Sequence, residues 1–482
     1  MLARIAVALA ALALILPMAR APTAQAATPQ EIETAVTNGL AWLAAQQIHH
    51  PTYPDDGSFV STGHTFPGGP TPAAATCLAL TKFEHRGWEL YGGAAGVGPF
   101  DTRYAPYNTT VVDGLNYVFR QMAPATNGGV YVPESINNGS WPVDTYTTGI
   151  CMMALASTME PAMEVSAWPS VVYGASFQRV LQGMLTWMED TQFPAGSGPP
   201  GVDDGCYTGG WGYYYHSPED HYPVPDNSIT GYATLGIRFA ISPAYRFNLT
   251  ISNPNVLANL DTFITNIQAD DGGSIYICTN TGPPENILKT ANLLDEMAAV
   301  GWQLNPSISN AVGYITSHWN AGWDDPNNPH YIIGWQDQGK DPKGDYQAMF
   351  AMMKGLEAYG VNALGGGIGN WFGQVSNFIY IHHREDANGW YWTGVGEAAG
   401  DWVLETSWAL LTLEKVVSFP PSAVGGVAEL PALAGTSPGE SAVPAEGSGW
   451  SAGGYAALAG GLAAAVVAIT AGAWYARRRW LR

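Results

Sequence analysis

The chain has 482 residues, 46% of them hydrophobic, with 40 acidic against 19 basic side chains and a net charge of −21. It is too long for one small core and too apolar for a disordered segment, so it is two to four ordinary domains or one large repetitive one. Its charge argues against nucleic acid or an anionic lipid surface as partner, since both are repelled by such a surface.

In chain order, Arg4 precedes an apolar run from Ile5 to Leu16 and the small-x-small pattern Ala24-Gln25-Ala26. Residues 1–26 therefore read as a signal peptide, with an apolar run too short to cross a bilayer. From 27 to 417 one phrase recurs. GLAWLAAQQ at 39–47 is followed by DDGSF, GLNYVFRQM at 114–122 by GGVY, and GMLTWMEDTQ at 183–192 by GGWGYY. Each unit has a first helix with an aromatic near its middle, a Gly- and aromatic-rich loop, and a second, more apolar helix. Six first helices are expected at about 28–47, 108–122, 176–191, 253–268, 305–319 and 369–383. Apolar residues recur at helical spacing, as at Val256, Leu260, Phe263, Ile264 and Ile267. The second helices are expected at about 71–83, 144–156, 226–240, 285–301, 345–360 and 401–416. They are apolar on nearly every face, as helices buried on more than one side must be.

Alternation of two helix kinds predicts an all-α fold, an (α/α)6 toroid of six helical hairpins with the second helices as an inner barrel. An open solenoid is the rival, but it needs polar caps at both ends. Of the four cysteines, Cys206 and Cys278 fall in corresponding loops and are the expected bridge, three pairings being possible. Cys77 and Cys151 lie in apolar helices and read as buried thiols. Residues 418–450 form a Pro/Gly-rich linker, 451–476 a transmembrane helix, and 477–482 a basic cytoplasmic tail with Arg477, Arg478, Arg479 and Arg482. The expected location is the cell membrane, single-pass through that C-terminal helix, with the toroid extracellular. The exported part then holds all 40 acidic residues and 13 of the 19 basic ones.

The phrase Gly-x-x-aromatic-Leu-x-x-x-Gln, then Gly-x-aromatic, resembles the repeat of squalene and oxidosqualene cyclases, also found in protein prenyltransferases. Gly39, Trp42, Leu43, Gln46 or Gln47, Gly57 and Phe59 match it, as do Gly114, Tyr117, Val118 and Gln121. ETSWALLTL at 405–413 is similar to the matching inner-helix run of those cyclases. The resemblance implies the α/α toroid of the terpenoid cyclase superfamily. It does not carry an activity over. The phrase itself reads as structural: the outer-helix aromatic packs on the inner ring, and the Gln and Gly-aromatic turn tie helix end to loop.

The catalytic motifs of that superfamily are absent. No Asp-x-Asp-Asp stands on an inner helix, and the pairs Asp203-Asp204, Asp270-Asp271 and Asp324-Asp325 fall in loops. No Asp-x-Cys with a central His offers zinc ligands, so no metal and no cofactor is expected. Gly-Cys-Gly-Glu-Gln, Gly-x-Ser-x-Gly and His-Glu-x-x-His are also missing. What remains is a rim. Asp144, Asp226, Asp345 and Asp401 each open an inner helix, where N-capping is their ordinary role. In a toroid they ring one mouth. Four residues on come Thr148, Thr230, Met349 and Glu405, on one face that could be the lumen. Glu405 is the best single acid, its plain alternative being a buried partner such as Lys289. Trp211, Trp335 and Trp390 lie in aromatic loops over the mouth, either to hold a ligand or to seal the loops. Two functions stay open. One is a cell-surface module that binds an unidentified small molecule, glycan or protein in its central cavity. The other is an enzyme, either a divergent cyclase or a carbohydrate-active hydrolase or lyase.

Overall fold

The computed structural model describes residues 26–59, 71–92, 97–136, 141–197, 204–213, 224–277, 285–322, 332–337, 339, 341–396 and 399–416. The chain divides into two compact units, Met1–Ala434 and Gly435–Arg482, the second outside the described residues.

Twelve α-helices alternate between two roles among the described residues. The outer ones are α1 (Pro29–Ala45), α3 (Tyr107–Gln121), α5 (Phe177–Thr191), α7 (Asn255–Ile267), α9 (Pro306–Ser317) and α11 (Trp371–Ile381). The inner ones are α2 (Pro72–Tyr91), α4 (Asp144–Ser157), α6 (Asn227–Ile241), α8 (Ile287–Ala299), α10 (Tyr346–Ala358) and α12 (Trp402–Thr412). Four two-stranded hairpins sit in the loops: β1 (Gln47–His50) with β2 (Tyr53–Phe59), β3 (Ala123–Pro124) with β4 (Val130–Tyr131), β5 (Ser135–Ile136) with β6 (Trp141–Pro142), and β7 (Arg384–Asp386) with β8 (Gly389–Tyr391).

The inner helices pack in sequence, α2 on α4, α4 on α6, and so on to α12, and α12 packs back on α2. The ring is closed, and the fold is an α/α toroid. Neighbouring inner helices run parallel and close: a Cβ at Gly149 of α4 would meet the Tyr232 backbone of α6, five residues into each helix. Closure also uses the outer layer. Gly389 of β8, at φ +139°, lies where any Cβ would strike the Asn38 carbonyl of α1, and Trp42 Nε1 donates to Asp386 Oδ2 at 2.9 Å.

Three side-chain devices make the repeated phrase intelligible. First, a threonine on five of the six inner helices accepts the amide of the loop residue that ends the phrase. The pairs are Thr76 with Phe59 (2.9 Å), Thr148 with Val132 (3.0 Å), Thr230 with Trp211 (2.9 Å), Thr290 with Ser274 (3.1 Å) and Thr406 with Trp392 (3.1 Å). Second, the glutamine ending an outer helix bridges two units. Gln47 Nε2 donates to Gly57 O and Thr110 O, Gln192 Nε2 to Gly209 O and Val256 O, and Gln268 Nε2 to Gly272 O and Ser307 O. Each second acceptor lies in the first turn of the next outer helix. Third, the outer-helix aromatic stacks on the preceding unit's hairpin: Trp42 on Tyr391 at 5.1 Å and Trp187 on Tyr131 at 5.0 Å. This corrects the expected packing on the inner ring. Gly39, one turn before Trp42, supplies the inner-ring contact instead, since a Cβ there would lie 2.7 Å from Leu410 of α12.

Helix bounds follow the sequence reading within a few residues, except that α2 runs on to Tyr91. The cysteine expectation is corrected: Cys77 of α2 and Cys151 of α4 form a disulfide, with Cα atoms 4.9 Å apart. Parallel inner helices in contact bring two buried sulfurs together, which two apolar patterns far apart in sequence do not reveal. The side chain of Cys206, and Cys278 altogether, lie outside the described residues, as do the linker 418–450, the segments 451–476 and 477–482, and 1–25 of the expected leader. Among the described residues no helix is long and apolar enough to cross a membrane.

Two outcomes follow from these contacts. Replacing Cys77 and Cys151 by serine removes a crosslink over 74 residues and is expected to cost about 2–5 kcal/mol, seen as a lower urea midpoint that reductant no longer shifts. Gln192→Ala strands two buried carbonyls and is expected to cost about 1–3 kcal/mol in the same assay, with no change for the exposed Gln30→Ala.

Candidate functional site

The inner-helix N-termini share one rim because the helices are parallel, and each loop closes over the helix of the unit before it. Tyr213 O accepts the Thr145 amide of α4, Tyr276 O the Asn227 amide of α6, and Ile333 O the Ile287 amide of α8. For α2 the acceptor is a side chain: Glu134 takes the Ala73 and Ala74 amides at 2.7 and 3.2 Å and the Thr147 hydroxyl at 2.6 Å. A carboxylate on a helix N-terminus is favoured by both the free amides and the helix dipole.

The expected rim residues have separate fates. Asp226, Asp345 and Asp401 are N-caps, accepting from Ile229, Ala348 and Leu404. Asp144 is not a cap; its Oδ1 accepts the Glu134 amide at 2.8 Å. Thr148 and Thr230 turn to their loops, which corrects the shared lumen face. In α12 that loop-binding place belongs to Thr406, so Glu405 sits one residue, about 100° of helix, away from it, and α10 has Met349 there. Trp211 is in the core, with Nε1 donating to Met188 O at 2.9 Å. Trp335 is packed between Trp319 and Phe378, and Trp390 lies against His383 at 3.5 Å.

What converges at the rim is a set of phenols. Tyr146 of α4 meets Tyr232 of α6 edge to face at 4.9 Å. Gln347 of α10 donates to the Tyr232 hydroxyl at 3.2 Å, and the Tyr213 and Tyr276 hydroxyls lie 3.3 Å apart. Lys289, expected near Glu405, has its ammonium 5.6 Å from the Tyr276 ring centre. Burial holds the Tyr146 phenol well above its ordinary range, and Tyr232, Asp401, Tyr213 and Glu134 add to the effect. Behind the rim, between Tyr232, Leu235, Asn292, Phe350 and Lys354, the inner wall leaves a cavity of about 10 Å³, room for one water.

Glu405 stands apart. It is 2% exposed, its Oε1 accepts the Gly394 amide at 2.7 Å, and its Oε2 has no hydrogen-bond partner. Burial, then the charges of Asp401 and Asp345, push its carboxyl well up, against the Gly394 and Gly400 amides. Glu134 is pushed up to about 7 and Asp144 to about 6, both chiefly by burial.

A second ionisable cluster, which the sequence reading passed over, fills the last turns of the inner helices. Glu414 joins Lys82 at 3.2 Å and His85 at 2.9 Å, His85 reaches Ser157 at 2.9 Å, and Arg238 pairs with Asp295. Lys354 lies 4.9 Å from the Phe239 and Phe350 ring centres. Burial alone raises Glu414, but His85, Lys82 and Lys354 hold it down at about 2. Burial brings Lys354 down to about 7 against the pull of Glu414 and Asp295. The signal was present: charges of opposite sign recur late in otherwise apolar helices, where only mutual pairing makes them tolerable. Among the described residues no group of three or more His, Cys, Asp or Glu side chains is placed to hold a metal ion.

No family model matches the chain, and no curated protein is similar to it. Among solved structures it is similar to a GH76 α-mannanase of Bacteroides thetaiotaomicron, with a TM-score of 0.47, 10% identity, and 80% of this chain and 95% of that one covered. It is also similar to a type II terpene cyclase from Scytonema without ligand, with a TM-score of 0.43, 12% identity, and 80% and 98% covered. These figures describe a likeness of fold; the toroid itself rests on the closed ring of contacts within the chain.

The raised carboxyls set the pH dependence. Glu134 and Asp144 have folded values above their ordinary 4.5 and 3.8, so their contribution is complete below those values and is lost as pH rises through about 6 to 7. Glu414, depressed from 4.5 to about 2, contributes above 4.5 and is lost as pH falls toward 2. Stability is therefore expected to peak at about pH 4 and to fall toward pH 7.5 in thermal melts. Glu134→Gln should flatten the neutral side and leave the acid side unchanged.

Proposed function

We propose that this is a cell-surface binding module that holds a small, hydroxyl-rich ligand at the rim where the inner helices begin. The observation that carries the reading is the cluster of Tyr146, Tyr232 and Gln347 from three different inner helices, with the paired Tyr213 and Tyr276 hydroxyls in the loops of that rim. Flat phenols next to amide and carboxylate groups offer both the stacking surface and the directional hydrogen bonds that a polyol or sugar end needs. The exported, membrane-anchored location is supported by the leader-like run from Ile5 to Leu16, the apolar stretch before Arg477, and the Cys77–Cys151 disulfide, which persists in an oxidising compartment.

Glu405 favours a second reading, an acid-dependent enzyme. A carboxyl kept neutral by burial, with one oxygen unpartnered, is suited to giving a proton to a bound substrate.

The test is a binding screen of the full chain against monosaccharides and polyols by saturation-transfer NMR. Tyr146→Phe and Asp401→Asn are expected to weaken the best ligand at least tenfold. No binding by any of them, or binding indifferent to both substitutions, sinks the rim reading. Glu405→Gln separates the enzyme: if turnover of a bound ligand exists and survives this change, Glu405 is not its acid.

A further inference from the structure

The loop before α5 spends an unusual amount of backbone order on presenting apolar side chains to water. The Val165 amide donates to Ala175 O, Gly174 to Val165 O, Tyr173 to Ser170 O and Ala175 to Val172 O. Ser170 Oγ donates to Phe119 O and accepts the Val172 amide at 3.2 Å. Arg120 Nε donates to Trp168 O at 3.2 Å, which fixes the loop to α3. Val165, Ala167 and Val172 are buried beneath it, while Trp168, Val171 and Tyr173 are 67%, 57% and 55% exposed. Trp168 and Tyr173 meet edge to face at 5.4 Å. A loop could bury its aromatics at little cost, so a rigid one that exposes them marks a contact surface.

Beside this platform runs an open groove of about 730 Å³, within the roughly 300–1,000 Å³ of ligand clefts. Tyr173 and Val171 form one wall. The other is a face of α5, where Gln178, Gln182 and Thr186 recur at four-residue spacing and so lie in one stripe. Gln178 is oriented by its bond to Phe247 O at 3.0 Å. Arg179 is the one charged residue in the lining, and no carboxylate is among it, although the chain carries 40 acidic side chains. A cation or basic peptide has nothing to pair with here. Three exposed apolar side chains fall short of the roughly 800 Å² per partner of a stable protein interface. Alternating sugar C–H faces and hydroxyls match both walls: the faces lie on the Tyr173 ring and the valine side chains, and the hydroxyls meet amides and a threonine.

We propose that the groove between Val171, Tyr173 and the Gln178–Gln182–Thr186 face of α5, flanked by Trp168 against Tyr173, binds a neutral oligosaccharide chain. It lies on the outer wall of the toroid and does not depend on the rim site. The test uses the full chain with cellohexaose, xylohexaose, mannohexaose and chitohexaose as probes in calorimetric titrations. At least one hexaose is expected to bind, with Trp168→Ala and Tyr173→Ala each weakening it tenfold or more and Gln182→Ala several-fold. Ile381→Ala, on the exposed face of α11 and remote from the groove, leaves the affinity unchanged, and these surface changes leave the melting temperature as it was. Absence of binding by all four hexaoses at millimolar concentration overturns the proposal, as does binding that Trp168→Ala does not weaken. Sedimentation decides the remaining case: a concentration-dependent dimer abolished by Trp168→Ala, with no hexaose bound, makes the surface a contact between copies of this chain and overturns it too.

Discussion

The constraint on which the molecule depends is closure of the inner ring. A helix apolar on every face, such as α4 with thirteen of its fourteen residues buried, has no stable place at the end of an array. It needs a neighbour on both sides and an outer helix behind. An open stack would leave α2 and α12 each with a bare apolar flank. Packing α12 on α2, with the β7–β8 hairpin seated on α1, removes both flanks at once. The hydrophobic term is what selects the ring, since burial of apolar area is the dominant favourable contribution to folding.

Hydrophobicity does not fix the register of the hairpins, and polar side chains do that. The inner-helix threonine sets the height of a loop against its own helix. The Gln at the end of an outer helix sets that loop against the next unit, and the carbonyl or carboxylate of each loop caps the inner helix of the unit before. The loops at Trp211 and Ser274 are thus held from three directions by groups that would otherwise be buried and unsatisfied. The aromatic stack of Trp42 on Tyr391 and of Trp187 on Tyr131 works between units in the same sense. The repeated phrase is a set of fasteners between neighbours.

Two kinds of buried charge remain, and they differ in what they can do. The cluster of Lys82, His85, Glu414, Arg238 and Asp295 is mutually paired, and removing one partner would strand another. Its geometry serves cohesion of the last turns. At the rim, Glu405 has a free oxygen, and Glu134 and Asp144 are poised near neutrality. Ionisable groups held in that condition are affordable where a ligand or proton is handled.

Helix number, helix bounds and their alternation were legible along the chain, because the spacing of apolar residues and the caps at Thr28, Ser176, Asn305, Asp226, Asp345 and Asp401 are local. The double ring was legible too, since only closure satisfies six helices without a polar face. The site was not. Which threonine faces a loop and which acid faces the interior differs by a single residue, about a third of a turn, as Thr406 and Glu405 show. Whether two cysteines 74 positions apart meet, or whether Gln347 reaches the Tyr232 hydroxyl across the ring, depends on how far the inner helices taper toward one another. That distance is set by side chains from six segments packing at once, and no single stretch of sequence contains it.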